Sequence, residues 1–392
     1  MINGNSSSCA ARFISGLVGS AWLYTLLFAG PANGADADAP WREQATKGIG
    51  KGVEYLLDQQ REDGAFGKRP HPGITALCAY ALQNSPSAER DAVQTAIDKA
   101  LENLRAFAGE NGAIQPERHG VPVYTTSVAL LAFDAVGREK DEDIIRRGRD
   151  FLLSAQRREE GPEGETRLSG FGYDKGARPD MSNTKWAIEA LHATREYAEE
   201  PLAESADAAN KARAAFKGAV SFIEQCQNTD EDSEHRGRVS YLPQTKDADE
   251  KNQQSSRGAR KPPQANYGAM TYGAMKTMIY ADLSRDDPRV QSALRWIRRH
   301  YTFQENPGQG MNSYYYYIQT CAKALAALEV TQIVEESEDW RADLVSALLE
   351  RQKEEGSWIN EVGRHWESDP NLVTAYSLIA LEHALPPIRQ QP

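Results

Sequence analysis

Near its carboxyl end the chain carries Gln352-Lys353-Glu354-Glu355-Gly356-Ser357-Trp358, a glutamine followed by a glycine and an aromatic residue, and weaker copies recur back through its 392 residues. The clearest second copy is Lys51-Gly52, Tyr55-Leu56, Gln60 and then Gly64-Ala65-Phe66. A recurring pattern of this kind means a stack of like units, because one short unit cannot bury its apolar face alone.

Six passages align, each a charged amphipathic helix, a glycine-bearing loop and a second, more apolar helix. The first helices are predicted to end near Gln60, Ala108, Gln156, Gln227, Tyr301 and Gln352, and the second to begin near Ile74, Thr125, Asn183, Thr271, Tyr316 and Val373. In the opening unit Val53, Leu56, Leu57 and Gln60 fall at helical spacing and leave Glu54 and Asp58 to solvent. In the last, Leu378, Leu381 and Leu385 make one stripe. Thr125, Ser182, Asn183, Thr271 and Thr374 stand where a side chain caps backbone N–H groups at a helix start. Strand-type alternation is hardly visible. The expectation is an all-α fold, an α/α toroid of about six helical hairpins with an inner ring inside an outer one. A closed ring is favoured over an open solenoid because the second helices lack the polar face that one side of an open array needs.

The formal net charge is −11, and Arg12 is the only charged residue before Ala35, so loss of that segment leaves −12. An acidic body of this kind argues against nucleic acid or an anionic membrane surface as partner. Arg12, the apolar run Phe13 to Gly30 and the small residues Ala32-Asn33-Gly34 read as an export signal over residues 1–34, cleaved near Gly34. The rival reading is a retained anchor; after cleavage no stable membrane span is expected, and the mature chain is expected in the periplasm or outside the cell. The remaining Cys78, Cys226 and Cys321 are odd in number and indicate no disulfide framework. The toroid is expected over residues 41–388, interrupted at 228–265 by a polar, mobile insertion in which Arg236 to Leu242 forms an ordered island.

The Lys/Arg-Gly, aromatic-aliphatic, Gln, Gly-x-aromatic pattern resembles the repeat of squalene-hopene cyclases, which share the α/α-toroid superfamily with prenyltransferase beta subunits. Asp180-Met181-Ser182-Asn183-Thr184, Tyr267 to Tyr272 and Trp296 to Leu328 look like exported bacterial squalene-cyclase-like proteins, a subgroup known by fold more than by reaction. The resemblance runs from Ala45 to Leu385, and it is poor in the second and fifth units. The cyclases' Asp-x-Asp-Asp-Thr acid motif is absent, since Asp36-Ala37-Asp38 is followed by Ala39-Pro40. The prenyltransferase zinc site also lacks its pattern: Cys321, His365 and His383 are the nearest candidates, with no Asp two residues before Cys321. No metal and no cofactor is assigned. The Cys-Gly-Glu-Gln string of thioester toroids is missing too.

In a toroid the loop ends leading into the inner helices converge on one mouth. Tyr173, Asp174, Asp180 and Asn183 form one such cluster, Tyr267 and Tyr272 a second, and Asn312 with Tyr314 to Tyr317 a third. His365, Trp366, Glu367, Asp369 and Asn371 form a fourth. The leading expectation is a ligand site in the central cavity that takes an isoprenoid, and two alternatives stand beside it. In a terpenoid reading Asp180 or Asp369 is the proton donor, and Tyr272, Tyr315, Tyr316 and Trp366 line a cavity for an isoprenoid cation. In a glycan reading aromatic platforms stack on sugars, and His365, a tyrosine and Asn371 serve a lyase, or Glu367 and Asp369 a hydrolase. In the third the chain is a non-catalytic binding or scaffold module. The first requires an apolar patch beside the entrance, a lyase a basic cavity supplied by Arg178 and Arg364, and the third gains if Tyr314 to Tyr317 plug the cavity. For each residue there is also a plain reading: Asp180 and Asp369 as helix caps, and the tyrosines as core.

Overall fold

The computed structural model describes residues 39–117, 120–160, 166–198, 206–243 and 267–385. The predicted export segment and residues 244–265 of the predicted insertion lie outside the described residues. Outer helices α1 (Pro40–Gln59), α3 (Asp91–Arg105), α5 (Glu142–Ala155), α7 (Ala206–Cys226), α9 (Pro288–Arg299) and α11 (Trp340–Leu349) alternate along the chain with inner helices. The inner set is α2 (Pro72–Asn84), α4 (Pro122–Val136), α6 (Met181–Ala193), α8 (Tyr267–Tyr280), α10 (Tyr314–Leu328) and α12 (Pro370–Ala384). Each inner helix packs on the next, and α12 returns to α2, while α1 packs on both α11 and α12. The ring is therefore closed: the fold is an α/α toroid.

The two helix types differ in how they are buried. In α3 only Val93, Ala96, Ile97, Ala100, Leu101 and Leu104 are buried, at the three- and four-residue spacing of a single stripe. In α12 nearly every residue from Asn371 to Leu381 is buried, as expected of a helix covered on all sides. Inner helices start a few residues earlier than the apolar pattern predicts. Pro72, Pro122 and Pro370 occupy the first helical turn, where a missing N–H does no harm, and Asp180 and Asp369 cap from the preceding position.

The recurring glutamine ties each unit to the next. Gln60 Nε2 donates to Gly64 O in its own loop and to Ala96 O on α3, at 3.1 and 2.7 Å. Gln352 does the same to Gly356 O and Gly48 O, at 3.0 and 2.9 Å, which fastens the last outer helix to the first. Gln156 reaches Ala215 O and Gln227 reaches Arg289 O. Where the glutamine is missing another side chain spans the seam: Arg147 donates to Gly109 O in the second unit, and Tyr301 to Asp343 in the fifth. The glycines are obligatory for close approach. A Cβ on Gly64 (φ 80°) would sit 2.2 Å from Lys99 O, and one on Gly356 (φ 94°) 2.3 Å from Lys51 O.

A second device couples loop to inner helix. The N–H groups of Phe66, Ile114, Phe171, Val239 and Trp358 donate to the hydroxyls of Thr75, Thr126, Thr184, Thr271 and Thr374. This corrects the capping expectation. Thr271 and Thr374 accept from the incoming loop, and Thr125 Oγ1 has no partner among the described residues. Ser182 bonds Tyr316, and Asn183 bonds Asp180. A short antiparallel hairpin, β1 (Arg157–Glu160) with β2 (Thr166–Gly170), is also unforeseen, because Arg-Arg-Glu-Glu has no apolar alternation to signal it. The start of the predicted insertion is pinned, with Asn228 N–H donating to Arg238 O and Ser240 N–H to Cys226 O.

Candidate functional site

All inner helices begin at one end of the ring, and their entry loops lean on one another to form its rim. Val123 N–H donates to Tyr173 O at 3.2 Å, Met181 N–H to Tyr241 O at 2.9 Å and Lys68 N–H to Asp369 Oδ2 at 2.7 Å. Tyr241 OH donates to Tyr173 OH at 3.3 Å, and Ser313 Oγ bonds His365 Nδ1 at 2.6 Å. Trp366 meets His71 edge to face at 5.4 Å. Among the described residues, the large apolar side chains left exposed are Tyr173 (49%), Val362 (43%) and Trp366 (53%), all on this rim. Ser313, His365 and Trp366 hold φ of 53°, 54° and 69°, and such left-handed backbone costs about 1–3 kcal/mol per residue. Rim geometry is thus held against local preference.

The carboxylates of the rim are occupied. Asp180 caps α6 by accepting Asn183 N–H and Nδ2, each at 2.8 Å, and burial pushes its pKa up to about 6 against these bonds. Asp369 caps α12 through Asn371 N–H at 3.0 Å. Glu367 turns to a different helix: it accepts Tyr316 N–H at 2.8 Å and Tyr315 N–H at 3.4 Å at the start of α10, and Asn360 Nδ2 at 2.6 Å. Burial pushes its pKa up to about 7 in spite of those donors. Glu367 and Asp369 therefore do not form a facing acid pair.

Inside the rim the lumen is crossed by side chains. Tyr124 and Tyr376 hydroxyls approach at 3.4 Å, and Tyr316 OH meets Ser182 Oγ at 2.8 Å. Trp186 lies between, 6.0 Å from Tyr124 and 6.4 Å from Tyr316. The Lys185 amine stands 4.2 Å from each of the Trp186 and Tyr316 ring centres and donates to Thr320 Oγ1 at 2.9 Å. One turn deeper Glu189 pairs with both Lys276 and Lys323, the latter at 2.7 Å. Burial opposes charge on Glu189, yet Lys276, Lys323 and Lys185 outweigh it and hold its pKa below the ordinary range. Trp186 Nε1, Gln319 Oε1 and both Glu382 oxygens have no hydrogen-bond partner among the described residues.

The sequence-predicted residues divide accordingly. Tyr173, Asp180, Ser182, Tyr316, His365 and Trp366 come to the mouth, and Asp174 is exposed there, its carboxylate accepting Lys175 N–H. Asn183 and Asn371 are buried at helix starts. Asn312 ties its own turn through Gln309 O. Tyr272 and Tyr315 do not line the lumen. Tyr272 is buried against Tyr317, which donates to Thr302 O, and Tyr315 reaches Ile359 O, so both fill the wall. Of the predicted plug, Tyr316 alone crosses the lumen. The side chain of Tyr267 lies outside the described residues. Lys185, Glu189, Lys276, Lys323 and Glu382 were not foreseen, although each is a charge in an otherwise apolar inner helix, which was their available signal.

Cys321, His365 and His383 do not converge: Cys321 lies with Tyr272 and Tyr317, and His383 Nδ1 bonds Ile379 O at 2.8 Å. Among the described residues no group of three His, Cys, Asp or Glu side chains is placed to hold a metal ion, and no helix is long and apolar enough to cross a membrane. A cavity of about 490 Å³ lies at the other end of the inner helices, lined by Arg149, His192, Arg213, Phe216, Lys217 and Tyr280, and contains none of the predicted site residues.

No protein-family model and no curated protein matches the chain. Solved structures do. A variant of a type II terpene cyclase, MstE from Scytonema, in complex with merosterolic acid A, is 15% identical with a TM-score of 0.55, covering 88% of this chain and 98% of that one. A second variant of that cyclase is solved with geranylgeranyl dihydroxybenzoate, at 13% identity and a TM-score of 0.53. The GH76A alpha-1,6-mannanase from Salegentibacter sp. HEL1_6 is 10% identical with a TM-score of 0.52, covering 88% of this chain and 98% of that one. These likenesses place the chain among α/α toroids, a fold common to a terpene cyclase and a mannanase, without singling out the squalene-hopene cyclases.

Proposed function

We propose that this protein is an exported binding module that takes a glycan at the mouth of the toroid. The observation that carries this reading is the contrast between mouth and lumen: Tyr173 and Trp366 offer aromatic faces to solvent, while the space behind them is filled by the chain's own side chains. An aromatic face half open to water stacks on the C–H face of a sugar ring, and the surrounding Tyr241, Ser182 and Tyr316 hydroxyls can exchange hydrogen bonds with sugar hydroxyls. A toroid of similar fold, the mannanase, is solved in an inactive form with alpha-1,6-mannotriose, so the fold is compatible with a sugar ligand. The isoprenoid reading draws support from the cyclase with its geranylgeranyl ligand. It requires an apolar chamber, however, and the position between Trp186 and Tyr316 that a substrate cation would take is held by Lys185.

Screening the mature protein on an array of neutral and acidic oligosaccharides tests the proposal. The expected result is a bound glycan whose affinity falls at least ~10-fold in each of Trp366→Ala and Tyr173→Ala, equivalent to ~1.4 kcal/mol of lost stacking. Glycan binding untouched by either substitution, or none at all, overturns it.

A further inference from the structure

The least expected feature of the lumen is its number of amines. Lys185, Lys276 and Lys323 come from three different inner helices, all are fully buried, and one carboxylate, Glu189, bonds two of them. Lys185 bonds neither Glu189 nor any other acid; its described partners are Thr320 Oγ1 and two ring faces. Thr320 Oγ1 donates onward to Tyr316 O at 2.7 Å, so it accepts from Lys185. That leaves the amine lone pair free in its neutral form. Beside it Trp186 Nε1 and Gln319 Oε1 are buried without partners among the described residues, two polar atoms that a small polar guest reaching the amine past Tyr316 would satisfy. The roof over Lys185 is Tyr316, joined by Tyr124; both are only partly buried, and their hydroxyls meet Ser182 and Tyr376.

We propose that Lys185 is a nucleophilic amine that captures a small aldehyde or ketone entering from the mouth, forming an imine in the lumen. In the step, the Nζ lone pair attacks the carbonyl carbon and the C=O π pair moves to oxygen, which is protonated. Loss of that oxygen as water, with one proton from the amine, leaves the C=N bond. Lys276, one of the two lysines paired with Glu189, is placed to supply and recover the proton. The electrostatics agree with the geometry. Burial, then Lys276 and Lys323, drive the Lys185 pKa well below its ordinary value against the pull of Glu189, and burial lowers Lys276 to about 8. An amine desolvated next to other cations is the usual way a lysine becomes nucleophilic at neutral pH. This proposal does not rest on the glycan reading, since it concerns the lumen and not the rim.

The experiment is reductive trapping of the folded wild-type protein at pH 7 with glyoxylate, and with propanal as an uncharged comparator, using cyanoborohydride as the reductant. Peptide mass spectrometry then locates the added mass. An exposed lysine is neutral in only about one molecule in 2,500 at this pH, so Lys185 is expected to label at least ~10-fold faster than exposed Lys51 or Lys68. Lys276→Met removes a neighbouring cation and is expected to slow that labelling while leaving exposed sites unchanged. Label confined to exposed lysines, or reaching Lys185 only after denaturation, overturns the proposal.

Discussion

Glu367 and Asp369 stand two residues apart and serve two different helices, the first holding the start of α10 and the second capping α12. Their proximity in sequence suggested a pair, but a 3₁₀ turn over Arg364–Trp366 and the cap at Asp369 separate their directions. Glu367 has a measurable signature. Its pKa is raised from 4.5 to about 7 in the folded state, so the proton is held more tightly folded than unfolded. Stability from this source is complete below the unfolded value and is lost as pH rises through the folded one. Unfolding of wild type and Glu367→Gln at a series of pH values should therefore show the balance moving towards the variant by about 3 kcal/mol between pH 4.5 and 7. A pH-independent difference contradicts this environment for Glu367.

At the scale of elements the glutamine is a fastener between outer helices. Replacing Gln352 with alanine removes two donations, to Gly48 O and Gly356 O, each contributing roughly 0.5–1.5 kcal/mol. Because this seam joins the last outer helix to the first, amide exchange in Gln352→Ala is expected to accelerate selectively in α1; uniform or unchanged exchange argues against a local seam. The same residues show what could be read in advance. The Gln-Gly-aromatic spacing and the apolar second helices revealed six units and their closure, because buried inner helices need apolar residues all round. The threonine bonds were hidden, since a threonine at a helix start reads equally well as a cap, and Thr125 and Thr126 are indistinguishable without coordinates. The mouth was legible because helix-entry loops must converge there. The lumen was not: Lys185 and Glu189 at four-residue spacing look like a solvent-facing pair, and which tyrosines face inwards depends on a helix rotation that an almost wholly apolar helix does not encode.

At the scale of the whole molecule, closure decides what the centre of the ring has to hold. A ring of six inner helices can either enclose a ligand or fill its own centre, and this chain fills it with Trp186, three tyrosine and lysine contacts across the axis, and the Glu189 network. In the proposed reading recognition therefore falls to the rim, where left-handed backbone at Ser313, His365 and Trp366 shapes the loops that leave Trp366 exposed. The most direct test is native mass spectrometry of the protein with geranylgeraniol and, separately, with the oligosaccharide selected on the array. The account predicts a one-to-one complex with the oligosaccharide that is lost in Trp366→Ala, and no complex with the isoprenoid. A stoichiometric isoprenoid complex that survives Trp366→Ala and Tyr173→Ala would contradict it, because the lumen would then have to open.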